Sequence, residues 1–470
     1  MKLEIIRSAG GRLRGALVPA ALLLALCRCT TPHRIEDYGR IDARRVPTIT
    51  GIQGQLPARA SRAIMARLQG EVEPGDFLQR HSLLIETMSG TPLVTGNLAT
   101  LLIDGPDTYQ AMLNAIEAAR TTIHFESYIF EDDVVGRRFA AALLRKQAEG
   151  VQVRLLYDSV GCLATPAAFF QRLRDGGVQV IEFNPVNPAR LRGWRWRLKQ
   201  RDHRKILIVD GAVAFTGGVN ISAIYSSLIN RKRERAARAP QHAWRDTDIR
   251  IEGPVVAEFE KLFLDTWARQ GGPEPAPAPP LPPKKAGTDL VQVIGSTPGR
   301  DNRFTYMMYV AAFNYAETSI HLTTPYFVPD EQILKAICGA AERGLDVKII
   351  LPGTSDSALL ASTGRSYYTF LMKAGVKVYE RKHGAMMHAK TAVVDQVWST
   401  VGSSNMDSLS FLSNDEVNAA VLGSGFADKM EAMFQDDLEQ SVQILPEAWN
   451  RRPVKEWLKE WGSRMVGSWL

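Results

Sequence analysis

Cysteine is scarce in this chain, four residues of 470. Cys27 and Cys29 fall within the first thirty residues and leave only Cys162 and Cys338 for the body. That is too few for a disulfide framework or a four-ligand zinc site. Histidine is nearly as sparse, eight residues, and no Cys or His cluster stands at metal-ligand spacing, so no metal or other cofactor is expected. The uncharged stretch Ala16–Cys27, preceded by Lys2, Arg7, Arg12 and Arg14, is too short to span a bilayer but suits the h-region of an export signal. Residues 1–30 are therefore expected to form a signal peptide or a membrane-dipping anchor. Cys27 and Cys29 stand where a lipoprotein cysteine would, yet Leu26 and Arg28 precede them where a small residue is required. A length of 470 with 45% hydrophobic residues exceeds one hydrophobic core and fills two.

Against this sparse background, His-x-Lys-x4-Asp-x6-Gly-x-x-Asn occurs twice: His203, Lys205, Asp210, Gly217 and Asn220, then His388, Lys390, Asp395, Gly402 and Asn405. A single buried histidine is more often structural than chemical; repetition of all five positions argues for chemistry. The runs 205–210 and 390–395 are short, apolar and β-branched, which predicts strands. Alternation then places His203 with Lys205, and His388 with Lys390, on one face each. An imidazole nucleophile beside a fixed cation suits a phosphodiester. The glycines would allow close backbone approach and the asparagines would offer amide donors to phosphoryl oxygens. Asp210 and Asp395 complete the motif and are counted with the catalytic set, although bracing of the following turn fits them better.

Two carboxylates are candidates to orient the histidines. Glu416 follows His388 and Asp246 follows His203, and each acid begins a period-two run, 416–419 and 246–249, which is why Asp246 rather than Asp248 is matched to Glu416. A carboxylate on Nδ1 leaves Nε2 free to act as nucleophile or base. An ordinary strand-end acid is the plainer reading of Asp246.

These residues resemble the phospholipase D superfamily, and within it the bacterial cardiolipin synthases. The stretches 244–254 (WRDTDIRIEGP), 125–130 (FESYIF) and 323–327 (TTPYF) resemble that subfamily beyond the two shared motifs, and the likeness runs from Leu98 to near Ser441. It implies metal-free catalysis through a phosphohistidine intermediate. One departure is visible: Gly218 stands where a Ser commonly follows the first motif's Gly, whereas Ser403 keeps it in the second. Ser403 is therefore read as a phosphate contact that the first half lacks.

The duplication extends beyond the motifs. Residues 121–124, 150–156 and 177–180 match 318–321, 344–350 and 375–378, and Met112, Ile116 and Ala119 recur at helical spacing ahead of the first matched strand. Strands alternating with helices predict an α/β fold with a mixed sheet flanked by helices. Two tandem phospholipase D-type domains are expected, 96–270 and 287–446, related by a pseudo-twofold with the active site at their interface, since neither half holds two His-Lys pairs. A Pro-rich linker at 271–286 joins them, an extension covers 31–95, and a Trp-rich segment covers 447–470.

The net charge is +7, and the segment 190–205 carries it: eight basic residues, among them Arg192, Arg195, Arg197, Arg201 and Arg204, interleaved with Trp194 and Trp196 against one acid. Such a segment suits an anionic membrane surface, and the two ends of the chain favour membrane over nucleic acid. A second cluster, 231–235, reads as a solvated loop. At the C-terminus Val454, Trp457, Leu458, Trp461 and Met465 form one helical stripe, and four of the nine tryptophans fall in the last 22 residues. An interfacial helix is expected, with docking on the protein core as the alternative.

The sequence thus points to a phosphatidyl transferase of cardiolipin-synthase type. By analogy with the family, His203 attacks phosphatidylglycerol and His388 serves as acid and then base, while Lys205, Lys390, Asn220, Asn405 and Ser403 hold the phosphate. A hydrolytic phospholipase D would use the same residues with water as acceptor. A nuclease leaves both termini unexplained, and a non-enzymatic lipid-binding module leaves two intact motifs without purpose. The expected location is the periplasmic face of a bacterial inner membrane.

Overall fold

The computed structural model describes residues 45–70, 76–186, 200–226, 243–274, 284–299, 302–382 and 385–467. Residues 1–30, expected to be a signal peptide or anchor, the prolines of 275–283, the basic stretch 187–199 with Trp194 and Trp196, and the 231–235 cluster lie outside the described residues.

The first half supplies β1 (Leu93–Ile103), β2 (Thr122–Ser127), β3 (Gln152–Asp158), β4 (Gln179–Phe183), β5 (Ile206–Val209), β6 (Val213–Gly217) and β7 (Thr247–Glu252). They lie side by side as β4-β3-β2-β5-β6-β7-β1, parallel across the first three and antiparallel thereafter. The second half supplies β8 (Asp289–Ser296), β9 (Ser319–Thr323), β10 (Asp346–Pro352), β11 (Lys377–Arg381), β12 (Thr391–Val394), β13 (Trp398–Gly402) and β14 (Glu416–Leu422). Their order, β11-β10-β9-β12-β13-β14-β8, repeats the first with the same directions. The long edge strands β1 and β8 then pair antiparallel with each other and join the two sheets.

The repeat reaches individual side chains. His124 and His321, matched in sequence, stack on Phe263 and Phe434 of the helices Val256–Arg269 and Ser424–Glu439, each at 4.8 Å between ring centroids. Met112 and Ile116 are buried on the helix Asp104–Ala118, as their spacing predicts.

Each sheet packs one face on its own helices, giving two separate cores. The other faces meet, with the two matched helices, in a third core that includes Ile206, Ile208, Ile249 and Ile251 from one half and Val293, Val393, Val401 and Val417 from the other. Each such side chain contributes about 1.5–3 kcal/mol on burial, so the seam between the halves is a core in its own right. The described part of the N-terminal extension also has a fixed place. Met65, Leu68, Phe77, Leu78 and Ile85 pack into the second half's core, and His81 Nε2 lies 3.2 Å from the Met308 carbonyl, its pKa lowered to about 4 by burial.

The C-terminal stripe forms a helix, Val454–Gly467, which packs on the protein in an unusual sense. Its inward face is polar. Glu460 and Ser463 are buried, Arg452 pairs with Glu460 at 3.0 Å, and Thr363 Oγ1 donates to the Ser463 carbonyl at 3.2 Å. Arg464 lies 4.9 Å from the ring centroids of both Tyr367 and Phe370. Among the described residues no helix is long and apolar enough to cross a membrane.

Candidate active site

His203 and Lys205 lie in extended chain just ahead of β5, and His388 and Lys390 just ahead of β12. Both histidines and both lysines are buried. His203 and Lys205 share one face, as strand alternation predicts: the His203 ring packs edge-on against Tyr128 at 4.9 Å, and the Lys205 ammonium sits 5.3 Å from the same ring's centroid. Lys390 Nζ lies 2.9 and 3.1 Å from the two nitrogens of His388. The two sets act on one another: Lys390 depresses the pKa of His203, while Lys205 and His203 depress that of His388. They form one site at the seam.

The carboxylates are exchanged between the halves. His203 Nδ1 donates to Glu416 at 3.0 and 3.1 Å, and His388 Nδ1 donates to Asp246 at 2.6 Å. Reading each acid with the histidine it follows in the chain is therefore corrected. The backbone dictates the exchange. The strand Ala385–Met387 leading into His388 runs parallel to Ala243–Arg245, which leads into Asp246. Asp202 likewise bridges to Asp415, beside Glu416, and His203 N donates to the Asp415 carbonyl at 2.9 Å.

Two arginines lock this crossing, and sequence reasoning had placed neither in the site. Arg204, buried between the catalytic-motif His and Lys, donates to the Glu416 carbonyl at 3.1 Å, to Thr266 Oγ1 at 2.8 Å and to the Ser296 carbonyl at 2.7 Å. Arg245 pairs with Asp437 of the other half at 2.8 Å and bonds the Asp246 carbonyl. Arg201, Arg204 and Lys205 are all buried, so the membrane-facing reading of the basic segment is corrected for these three. Only strand alternation could have signalled that Arg204 points away from His203 and into the protein.

Other expected contacts are also reassigned. The Ser403 hydroxyl donates to Glu416 Oε2 and accepts from Val417 N at 3.0 Å, so its hydrogen bonds serve to orient the carboxylate. Gly218 follows from the same geometry, because a Cβ there would overlap the Asp246 carboxylate. A longer acid with a Ser stands on one side, a shorter acid with a Gly on the other. Gly217 and Gly402 admit the neighbouring strand in the same way, with the side chains of Asp248 and Asn418 against them. Asn220 spends its amide inside the protein, donating to Tyr225 Oη at 2.7 Å and accepting from Ile129 N at 3.2 Å. Asn405 differs: its buried Oδ1 has no hydrogen-bond partner among the described residues.

Asp210 and Asp395 stand at the far ends of β5 and β12, roughly 20 Å along the chain from the histidines at strand rise. Asp210 accepts from the backbone N–H groups of Arg120, Thr121 and Thr122, and Asp395 from those of Glu317, Thr318 and Ser319. Both have φ above +50°, a conformation Asp tolerates better than most residues. They are clamps, and their place in the catalytic set is corrected.

Burial dominates the electrostatics. It lowers the pKa of both histidines, most strongly His388, where Lys390, Lys205 and His203 add to it. It brings Lys205 down to about 7 and Lys390 to about 8, with Glu416 and Asp246 opposing, and raises Asp246 to about 6. For Glu416, burial is outweighed by His203, Lys205 and Ser403, so its pKa is lowered and it stays ionised. A neutral imidazole with Nδ1 occupied has Nε2 available as a nucleophile. Aromatic side chains wall the site: Trp244 lies 4.4 Å, Tyr225 5.8 Å and Tyr326 6.4 Å from His388 between ring centroids. Tyr326 donates to Asp356 at the rim at 2.8 Å. Tyr128 and Tyr326 lie in the segments that follow β2 and β9, within the two aromatic stretches already quoted.

Comparison with known proteins agrees with this constellation. A family described as "Cardiolipin synthase, PLD-like domain" matches residues 112–264 and 309–438. The chain is 36% identical over 369 residues to cardiolipin synthase A of Pseudomonas putida, covering 77% of this chain and 72% of that protein. It is 32% identical over 399 residues to cardiolipin synthase 1 of Bacillus anthracis, covering 82% and 75%. Phosphatidylserine synthase of Haemophilus influenzae shares the fold, with a TM-score of 0.59 at 14% identity over 81% of this chain and 98% of that one. The chain belongs to the cardiolipin synthase family of phospholipase D-like phosphatidyltransferases.

Proposed function

We propose that the enzyme transfers a phosphatidyl group from phosphatidylglycerol to a hydroxyl of a second phospholipid, through a phosphohistidine on His203. The observation that carries this reading is the exchanged pair of His–carboxylate contacts, which puts two neutral imidazoles and two lysines in one buried site. His203 Nε2 attacks phosphorus, and the bond from phosphorus to the glycerol oxygen breaks as His388 protonates that oxygen. The acceptor hydroxyl then gives its proton to His388 and attacks phosphorus, and the P–N bond to His203 breaks.

Lys205, Lys390 and the amide of Asn405 supply donors to the phosphoryl oxygens as charge develops. Burial and the lysine charges together hold His388 neutral; an arriving phosphodiester counters the lysine part and favours the protonated form when an acid is needed. Tyr128, Tyr225, Tyr326 and Trp244 restrict water around the intermediate, which supports transfer over hydrolysis.

Since the substrates are bilayer lipids, we place the enzyme at a membrane, on the periplasmic face given the basic and apolar N-terminal stretch. Arg190 to Lys199 would contribute attraction to anionic headgroups. Expression in a cardiolipin-deficient bacterial host tests the reading. Restored cardiolipin supports it, whereas accumulation of phosphatidic acid alone would make the enzyme a hydrolase.

A further inference from the structure

The C-terminal helix Val454–Gly467 is amphipathic, and it is mounted the wrong way round for a helix that serves a soluble core. Such a helix turns its apolar stripe inward. Here the stripe stands in solvent, with Val454 71%, Trp457 50%, Leu458 53%, Trp461 55% and Met465 60% exposed, while Glu460 and Ser463 face the protein. The orientation is held by specific contacts: the Arg452–Glu460 pair, the Thr363 bond to Ser463 and the stacking of Arg464 on Tyr367 and Phe370.

We propose that this stripe is the surface by which the enzyme docks on an anionic phospholipid bilayer. Tryptophan side chains, apolar in body with one polar N–H, suit headgroup depth, and two of them lie in the stripe. The charge agrees. Of the ionisable side chains on this helix, Lys455 and Lys459 are exposed, whereas Glu456 and Arg464 are half-buried and Glu460 is buried. Two exposed cations on a helix with an apolar face complement an anionic lipid surface. The position agrees as well. Glu456 and Lys459 wall a cleft whose other lining includes Pro325, Phe327 and Ser355, the chain neighbours of Tyr326 and Asp356 at the rim of the site. The helix that carries the stripe therefore borders a cleft next to the His388 side of the site. The surface itself stands on geometry alone; its use in delivering substrate rests on the functional reading above.

The test is tryptophan quenching by vesicles of phosphatidylglycerol and brominated phosphatidylcholine, with the full chain. Quenching of the wild type should fall in Trp457→Phe/Trp461→Phe, which keeps the apolar area but removes the indoles. In parallel, Leu458→Asp/Trp461→Ser should raise KM for vesicle substrate by roughly tenfold or more, with turnover of a monomeric short-chain phosphatidylglycerol and the thermal midpoint unchanged. Equal quenching in the wild type and the double Phe variant would overturn the proposal. So would a lipid-free wild-type dimer that Leu458→Asp/Trp461→Ser converts to monomer, since the stripe would then receive a second copy. A wild type that is quenched but transfers no phosphatidyl group would sink the functional reading and leave the docking surface standing.

Discussion

His203 Nδ1 donates to Glu416, 213 positions later in the chain and in the opposite half of the molecule. With the His388–Asp246 contact, this makes each half incomplete without the other. Glu416→Gln and Asp246→Asn should each lower turnover by roughly 10²- to 10⁴-fold, because the amide no longer fixes the tautomer or stabilises the imidazolium. If His203 is the nucleophile, Glu416→Gln should slow the first chemical step. Single-turnover release of glycerol checks this, and unchanged release would detach Glu416 from His203.

Gly218 and Ser403 offer a rescue experiment. Gly218→Ser alone should displace the Asp246 carboxylate and lower activity sharply. Adding Asp246→Glu should recover much of the loss by recreating the Ser403–Glu416 arrangement on the other side. Contacting residues that act as a unit give such non-additive cycles. Additive losses in the double variant would mean that the two sides differ for another reason.

The pH profile of kcat/KM, which reports the free enzyme, should be bell-shaped. Below about 6 the Asp246 carboxylate protonates and no longer accepts from His388; above about 7 to 8 first Lys205 and then Lys390 lose their charge. Because burial lowers the lysines, activity is lost as pH rises through these values, well short of an exposed lysine's range. Lys205→Arg, which does not titrate here, should move the alkaline limb upward. A limb that stays in place assigns it to another group.

Chelation is expected to leave turnover intact. Lys205 and Lys390 supply the positive charge that a metal would otherwise bring to a phosphoryl group. The check is an assay in EDTA with detergent-dispersed substrate, so that ion effects on lipid packing do not enter. Complete loss restored by one stoichiometric ion would contradict it.

Much of the site is legible along the chain because its signals are local. Two short β-branched runs set the strands of both motifs, and alternation places His203 with Lys205 on one face. Period-two patterning also singles out Asp246 and Glu416. Their exchange is not legible, because it depends on the strands Ala385–Met387 and Ala243–Arg245 meeting across the fold. For the same reason Arg204 reads as a surface charge and Ser403 and Asn220 as phosphate ligands. A polar side chain does not reveal from sequence which buried partner it will find. The stripe of the C-terminal helix follows from 3.6-residue periodicity, but its outward orientation depends on Arg452 just ahead of the helix and on Thr363 and Tyr367 from elsewhere in the chain. The packing of the helices Ala58–Gly70 and Phe77–Ser89 on the second half is likewise a long-range contact with no local signature.

The central claim is a covalent phosphohistidine formed at a site shared by both halves. It is tested most directly with phosphatidyl-p-nitrophenol carrying labelled phosphate, whose leaving group needs no acid, followed by quenching in alkaline denaturant that preserves P–N bonds. The account predicts a stoichiometric burst of nitrophenol in His388→Ala, with the label on the peptide containing His203 and none in His203→Ala. Label on His388 in the His203→Ala enzyme would reverse the roles of the two histidines, and no protein-bound label in the wild type or either variant would contradict the covalent mechanism.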